Sequence, residues 1–156
     1  MHSLQPHSAW RLRYIAADDP RSPFFLDQGA PVNGAYHQMY DFVIHPDWDD
    51  IGCETLFLKV LFVDYAEGCA VVELLGEWND ALHNDVMELK RRVVDPMLAE
   101  GIVRFVLVGD NLLNFHADDP DYYAVSMMNE ILGGGGFTSR DVLSALCHQG
   151  RQLRCF

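Results

Sequence analysis

Two short stretches carry most of the acid and amide groups that are placed to do chemistry. One is Gly76-Glu77-Trp78-Asn79-Asp80, followed by Asn84 and Asp85; the other is Gly109-Asp110-Asn111, followed by Asn114, His116, Asp118 and Asp119. Carboxylate and amide oxygens in that number suit a hard divalent cation such as Mg²⁺ or Ca²⁺. In that reading Glu77, Asp80 and Asp110 hold the ion and His116 is the acid or base of a metal-dependent hydrolase. The same groups, with Trp78 and Phe115 as anchors, suit a recognition surface for a partner protein or small ligand. A third reading is architectural. Asn79 and Asp80 cap a helix, Asp110 and Asn111 turn the chain, and Asp118-Asp119-Pro120 opens another helix.

Other patterns point to less. His45-x-Asp47-x-Asp49-Asp50 has the alternating acids of a calcium loop but lacks the glycine at the sixth place and the closing Glu, so it reads as a solvated connection. His37, His45, His83, His116 and His148 form no His-x-x-x-His or His-Glu-x-x-His pair, which excludes a zincin by spacing. No Gly-x-Ser-x-Gly occurs, and Gly133–Gly136 has neither a preceding strand nor the following Lys of a phosphate loop. Cys53, Cys69, Cys147 and Cys155 show no Cys-x-x-Cys spacing and read as reduced thiols, without a zinc site or a disulfide framework.

The elements that must position these groups follow from periodicity. Tyr36 to Ile44 alternates as a strand that stops at His45-Pro46. Thr55 to Tyr65 is apolar on both faces, as a strand inside a covered sheet must be, and Ala66-Glu67-Gly68 joins it to a second strand from Cys69 to Leu75. Trp78, Leu82, Val86, Leu89, Val93 and Met97 make one helical stripe, interrupted at Asp95-Pro96 and ending at Gly101. Ile102 to Val108 is an apolar strand of the parallel kind, followed by a polar loop over residues 109–121. Helices are expected near Tyr122–Leu132 and after Thr138. Residues 1–34, rich in proline, read as an extended N-terminal arm, and 35–156 as a single domain. The expected fold is α/β or α+β: a mixed sheet of four to five strands, a right-handed βαβ unit, and helices mainly on one face. Parallel strands joined by one helix place the Glu77 and Asp110 stretches at one sheet edge, the usual location of ligands.

Composition limits the partners. The 156 residues are 49% hydrophobic and 22% charged, ordinary for a globular chain. With 23 acidic against 11 basic residues the net charge is −12, which disfavours nucleic acid. Sixteen of the acids are Asp, while Lys occurs only at Lys59 and Lys90. That balance suits a high-salt cytoplasm as well as an ordinary acidic cytosolic protein. No apolar run has the roughly 20 residues of a membrane span, and the start lacks the pattern of a secretory signal, so a cytoplasmic protein without membrane association is expected.

The stretch from Val71 to Asp119, with its Gly76-Glu77 strand end and the apolar run Ile102 to Val108, resembles the core of anti-sigma factor antagonist domains of the STAS and SpoIIAA-like kind. The resemblance implies a β-β-α-β-α core and a small binding or regulatory module. Where that family carries Asp-Ser-Ser-Gly, this chain reads Phe115-His116-Ala117-Asp118, so no phosphorylatable serine is carried over. Glu77-Trp-Asn-Asp80, Asn84-Asp85 and Asn111-Leu-Leu-Asn-Phe-His116 also resemble a family of small bacterial proteins that brings no activity with it.

The leading expectation is therefore a non-enzymatic cytosolic binding or regulatory module without cofactor. Its site is Glu77, Trp78, Asn79, Asp80, Asp110, Asn114 and His116, facing a protein partner or small ligand. The alternative is the Mg²⁺- or Ca²⁺-dependent hydrolase. Self-association through the apolar hairpin is open.

Overall fold

The computed structural model of the chain describes residues 2–7, 13–25, 38–79, 84–116 and 146–147. They form an α+β fold of two mixed sheets and one helical run. The smaller sheet has the order β1-β3-β2, built from β1 (His2–Leu4), β2 (Gln38–Met39) and β3 (Phe42–Ile44); β1 is parallel and β2 antiparallel to β3. The larger sheet runs β4 (Asp49–Asp50), β5 (Leu56–Asp64), β6 (Cys69–Asn79) and β7 (Arg104–His116), with the two-residue β8 (Leu146–Cys147) at the β7 edge. Pairing is antiparallel from β4 to β6 and parallel from β6 to β8.

The β5 strand is apolar on both faces because both are covered. Leu56, Leu58 and Val60 join Ala70, Val72 and Leu74 of β6 in the main core, packed with Leu89, Val93 and Met97 of the helical run. Successive side chains of a strand leave on opposite faces. Phe57 and Leu75 accordingly enter a second cluster with Ile44 and Trp48, flanked by Leu4 and Met39 of the small sheet. One face of the large sheet thus carries the helix and the other carries the small sheet. Leu61 is the extra residue of a bulge, since Val60 pairs with Val72 and Phe62 with Val71. The bulge resets the alternation and keeps Val63 on the helix side.

The helical run is α-helical over Asp85–Leu89 (α1), widens to a π turn over Lys90–Val94, and returns to α geometry over Asp95–Ala99 (α2). Pro96 offers no N–H and its ring crowds the carbonyl four residues back, so a wider turn ahead of it absorbs the conflict without a break. The wider turn also brings Lys90 within 2.7 and 2.8 Å of the two Asp95 oxygens. That i,i+5 pair would diverge at 3.6 residues per turn. The run closes on a Schellman cap: Gly101 N–H donates to Leu98 O, and Ile102 N–H to Met97 O, both at 3.0 Å. Gly101 takes the required positive φ of 91°.

Several expectations are corrected. The strand expected over residues 36–44 is interrupted: Tyr40 and Asp41 turn the chain between β2 and β3, with Tyr40 at φ 53°, and residues 36 and 37 lie outside the described residues. The helix does not begin near Trp78, because β6 continues through Asn79. The polar stretch after Val108 is not a loop either: β7 continues to His116, absorbing an extra residue at each of two register shifts against β6. Leu146, expected in a helix, lies in β8. The expected helix at residues 122–132, the glycine run and residues 138–145 lie outside the described residues. In the N-terminal stretch β1 is a sheet strand, and Ala16 and Phe24 join the main core. Among the described residues no helix is long and apolar enough to cross a membrane.

Candidate functional site

The site is built on the face of β6 and β7 that the small sheet covers. Gly76 makes the approach. At φ 114° it lies so close to the neighbouring strand that a Cβ there would stand 2.0 Å from the Thr55 carbonyl oxygen. The next residue is fixed on both sides of its backbone: Glu77 N–H donates to Thr55 O at 2.8 Å, and the Thr55 hydroxyl donates to Glu77 O at 3.2 Å. Glu77 faces Asn114 in the parallel register. The Tyr40 hydroxyl, from the β2–β3 turn, donates to Glu77 Oε1 and also bonds the Asn114 side chain. The bond to Glu77 is the main cause that holds the Tyr40 phenol above its ordinary value of 10.0.

A second carboxylate–amide pair stands farther down the same two strands. Glu73, fully buried at 0% exposure, accepts the Asn111 amide N–H at Oε1, 2.9 Å away. His7, just beyond β1, donates its main-chain N–H to Glu73 Oε2 at 2.8 Å, and its ring Nδ1 meets Oε1 at 2.9 Å. Leu75 lies between the two carboxylates along β6, in the cluster beneath the small sheet. The small sheet therefore brings one polar residue to each: His7 to Glu73 and Tyr40 to Glu77.

The residues singled out in the sequence are distributed unevenly over this face. Glu77 and Asn114 are brought together. The main chain of His116 lies opposite Asn79, and that of Phe115 opposite Trp78. Trp78 is not a surface anchor; it is 1% exposed within the main core, because strand alternation turns it toward the helix while Glu77 turns away. Asn79 is buried, and its N–H donates to Asp85 Oδ2 at 2.7 Å. Asp110 is exposed within the first β7 bulge, on the Glu73 side of Leu75 and apart from Glu77. Asp80 lies outside the described residues, as do Asp118 and Asp119. Among the described residues no three His, Cys, Asp or Glu side chains stand together as ligands for an ion.

Elsewhere the acids form local structure. Asp49 pairs with Lys59 at 3.0 Å, and Asp50 accepts the Gly52 N–H at 2.6 Å. The thiols of Cys53 and Cys69 are half-buried and free; burial, then the charge of Asp85, pushes the Cys53 thiol well up. Tyr14 and Tyr65 both donate their hydroxyls to Asp19 Oδ2, and the Arg21 guanidinium stacks 3.7 Å from the Tyr65 ring centroid. Arg21 also reaches Glu100 at 2.7 Å, which ties residues 13–25 to the end of α2.

Glu73, His7 and Tyr40 are the polar groups of this face that the sequence patterns do not single out. His7 lies in the stretch that its prolines mark as an arm. Glu73 sits inside an otherwise apolar strand, yet a lone Glu in such a strand is itself a signal, since a buried carboxylate demands partners. No protein-family model, no curated protein and no solved structure matches this chain.

Proposed function

We propose that the protein is a cytosolic binding or regulatory module that meets a protein partner or small ligand at Tyr40, Glu77 and Asn114. The observation that carries this reading is Tyr40. The residue is 63% exposed, its backbone sits at φ 53°, and its hydroxyl is held by Glu77. Left-handed backbone costs a bulky residue about 1–2 kcal/mol. A fold that tolerates this cost in order to hold an aromatic ring outward, in one orientation, offers a preorganised contact. Tyrosine is the natural choice for such a contact, with an apolar ring and a polar tip.

The STAS-like likeness supports the regulatory half of the reading. The antiparallel β5–β6 pair, the helical run and the parallel β7 follow the order that the likeness implies. The crossover from β6 to β7 is assigned the usual right hand. A net charge of −12 favours a partner surface that is not itself anionic. The metal-dependent alternative needs Glu77, Asp80 and Asp110 on one ion, and nothing in the placement of Glu77 and Asp110 favours it.

The test is quantitative affinity purification with the wild type, Tyr40→Ala and Asn114→Ala, followed by titration of each candidate partner as a purified protein. A partner that binds the wild type and weakens about tenfold or more with Tyr40→Ala supports the reading. Equal affinity of every partner for all three proteins rejects it.

A further inference from the structure

We propose that His7, in a dyad with Glu73 as its positioning partner, is a general base for the hydrolysis of a carboxylic ester by water. The inference goes beyond the binding reading and does not rest on it. Three observations carry it. Glu73 is fully buried while the His7 side chain is 49% exposed, so the carboxylate is an internal support and the ring is the working end. Two contacts from one residue, main-chain N–H and ring Nδ1, engage both carboxylate oxygens and fix the ring's orientation. Asn111 occupies Oε1 as well and holds the carboxylate from the neighbouring strand.

The chemistry follows from the donor count. A carboxylate accepts and does not donate, so Nδ1 carries the hydrogen and the lone pair of the neutral ring is on Nε2. That is the tautomer a general base needs, fixed by a buried partner. Water attacks the ester carbonyl carbon while Nε2 takes its proton. The tetrahedral intermediate then expels the alkoxide as the C–O bond breaks, and the imidazolium returns the proton to it. Ester and water become acid and alcohol, with no further reactant. Throughout, Glu73 accepts the Nδ1 hydrogen and is a positioning residue. An apolar side chain on β6 would fill the Glu73 position without the desolvation that a carboxylate entails, so packing alone does not explain Glu73. The charge of −12 selects neutral or cationic esters over anionic ones.

The experiment measures hydrolysis of 4-nitrophenyl acetate and of an acetyl ester bearing a trimethylammonium group, with the full chain, His7→Ala, Glu73→Gln and His45→Ala. His45, whose ring Nδ1 accepts the Asp47 N–H, serves as a control histidine outside the dyad. The expected result is a protein-dependent rate that falls about tenfold or more in His7→Ala and persists in His45→Ala. Glu73→Gln, folded by circular dichroism, should lower kcat about tenfold or more with KM unchanged, because an amide in that place can donate to Nδ1 and favour the wrong tautomer. Rates equal in wild type and His7→Ala, or a kcat unmoved by Glu73→Gln, overturn the proposal. Partner binding by His7→Ala reports separately on the Tyr40 surface.

Discussion

The main-chain N–H of Asn79 donates to Oδ2 of Asp85 across 2.7 Å, joining the last residue of β6 to the first residue of α1. The bond is buried, so it replaces water for both groups. Asp85→Ala should lower stability by about 2–3 kcal/mol, since it leaves a buried N–H without its acceptor. Urea unfolding checks this, with the midpoint falling and the slope unchanged.

Trp78 and Tyr40 should separate stability from recognition. Trp78 packs in the main core, so Trp78→Ala should cost about 3–5 kcal/mol. Tyr40 is exposed, so Tyr40→Ala should cost under about 1 kcal/mol and act on partner affinity instead. Thermal unfolding of the two variants, side by side, is the measurement.

Two glycines with positive φ should respond differently to alanine. At Gly101 a Cβ meets nothing within 4 Å, so Gly101→Ala carries only the backbone penalty of about 1 kcal/mol. At Gly76 the Cβ would collide with the Thr55 carbonyl, so the strands must part and Gly76→Ala should cost about 3 kcal/mol or more. Chemical denaturation of both variants resolves the difference.

Asp19 should contribute stability that acid removes. Burial acts to raise its carboxyl, but the hydrogen bonds from Tyr65, the Arg21 N–H and Tyr14 outweigh it and hold the group below the ordinary 3.8. The folded state thus prefers the ionised form. Its contribution is complete above about pH 4 and fades as pH falls through the depressed value. Asp19→Asn should therefore be less stable than the wild type at pH 6, with the gap closing toward pH 2. The Tyr65 phenol, pushed up to about 12 chiefly by burial, has the opposite sense: its bond to Asp19 is fully present below pH 10 and is lost as pH rises toward 12. Unfolding midpoints of wild type and Tyr65→Phe across that range test this arm.

Salt should stabilise the fold. With a net charge of −12 and two lysines, self-repulsion in the native state outweighs the few exposed ion pairs that salt would weaken. The thermal midpoint should rise by several degrees between 0.1 and 2 M KCl. A midpoint that falls would show that exposed pairs such as Arg21–Glu100 dominate.

Much of the core is legible in the amino-acid sequence. Leu56 to Asp64 and Cys69 onward read as paired strands because their β-formers run unbroken, and Leu89, Val93 and Met97 read as one helix face because the spacing is theirs alone. The extent of β6 is not legible. Glu77-Trp78-Asn79 carries an aromatic at helical spacing from Leu82, and only the pairing with Asn114, Phe115 and His116 extends the strand. Half the site is readable for the same reason: Glu77 and Asn114 stand out as polar residues near strand ends. The contributions of His7 and Tyr40 lie 66 and 37 residues from their carboxylates, beyond any local pattern.

By itself the sequence determined the local terms: where strands and helix can form, where Gly101 and Pro96 shape the helix, and that the surface is strongly acidic. These depend on neighbours within a few positions, on side-chain period and on summed charge. Only the tertiary structure decided which carboxylates are buried, that Trp78 turns inward, and that a small sheet brings His7 to Glu73 and Tyr40 to Glu77. Those outcomes are set by strand register and by the packing of segments far apart in the chain, where a shift of one residue would exchange the two faces.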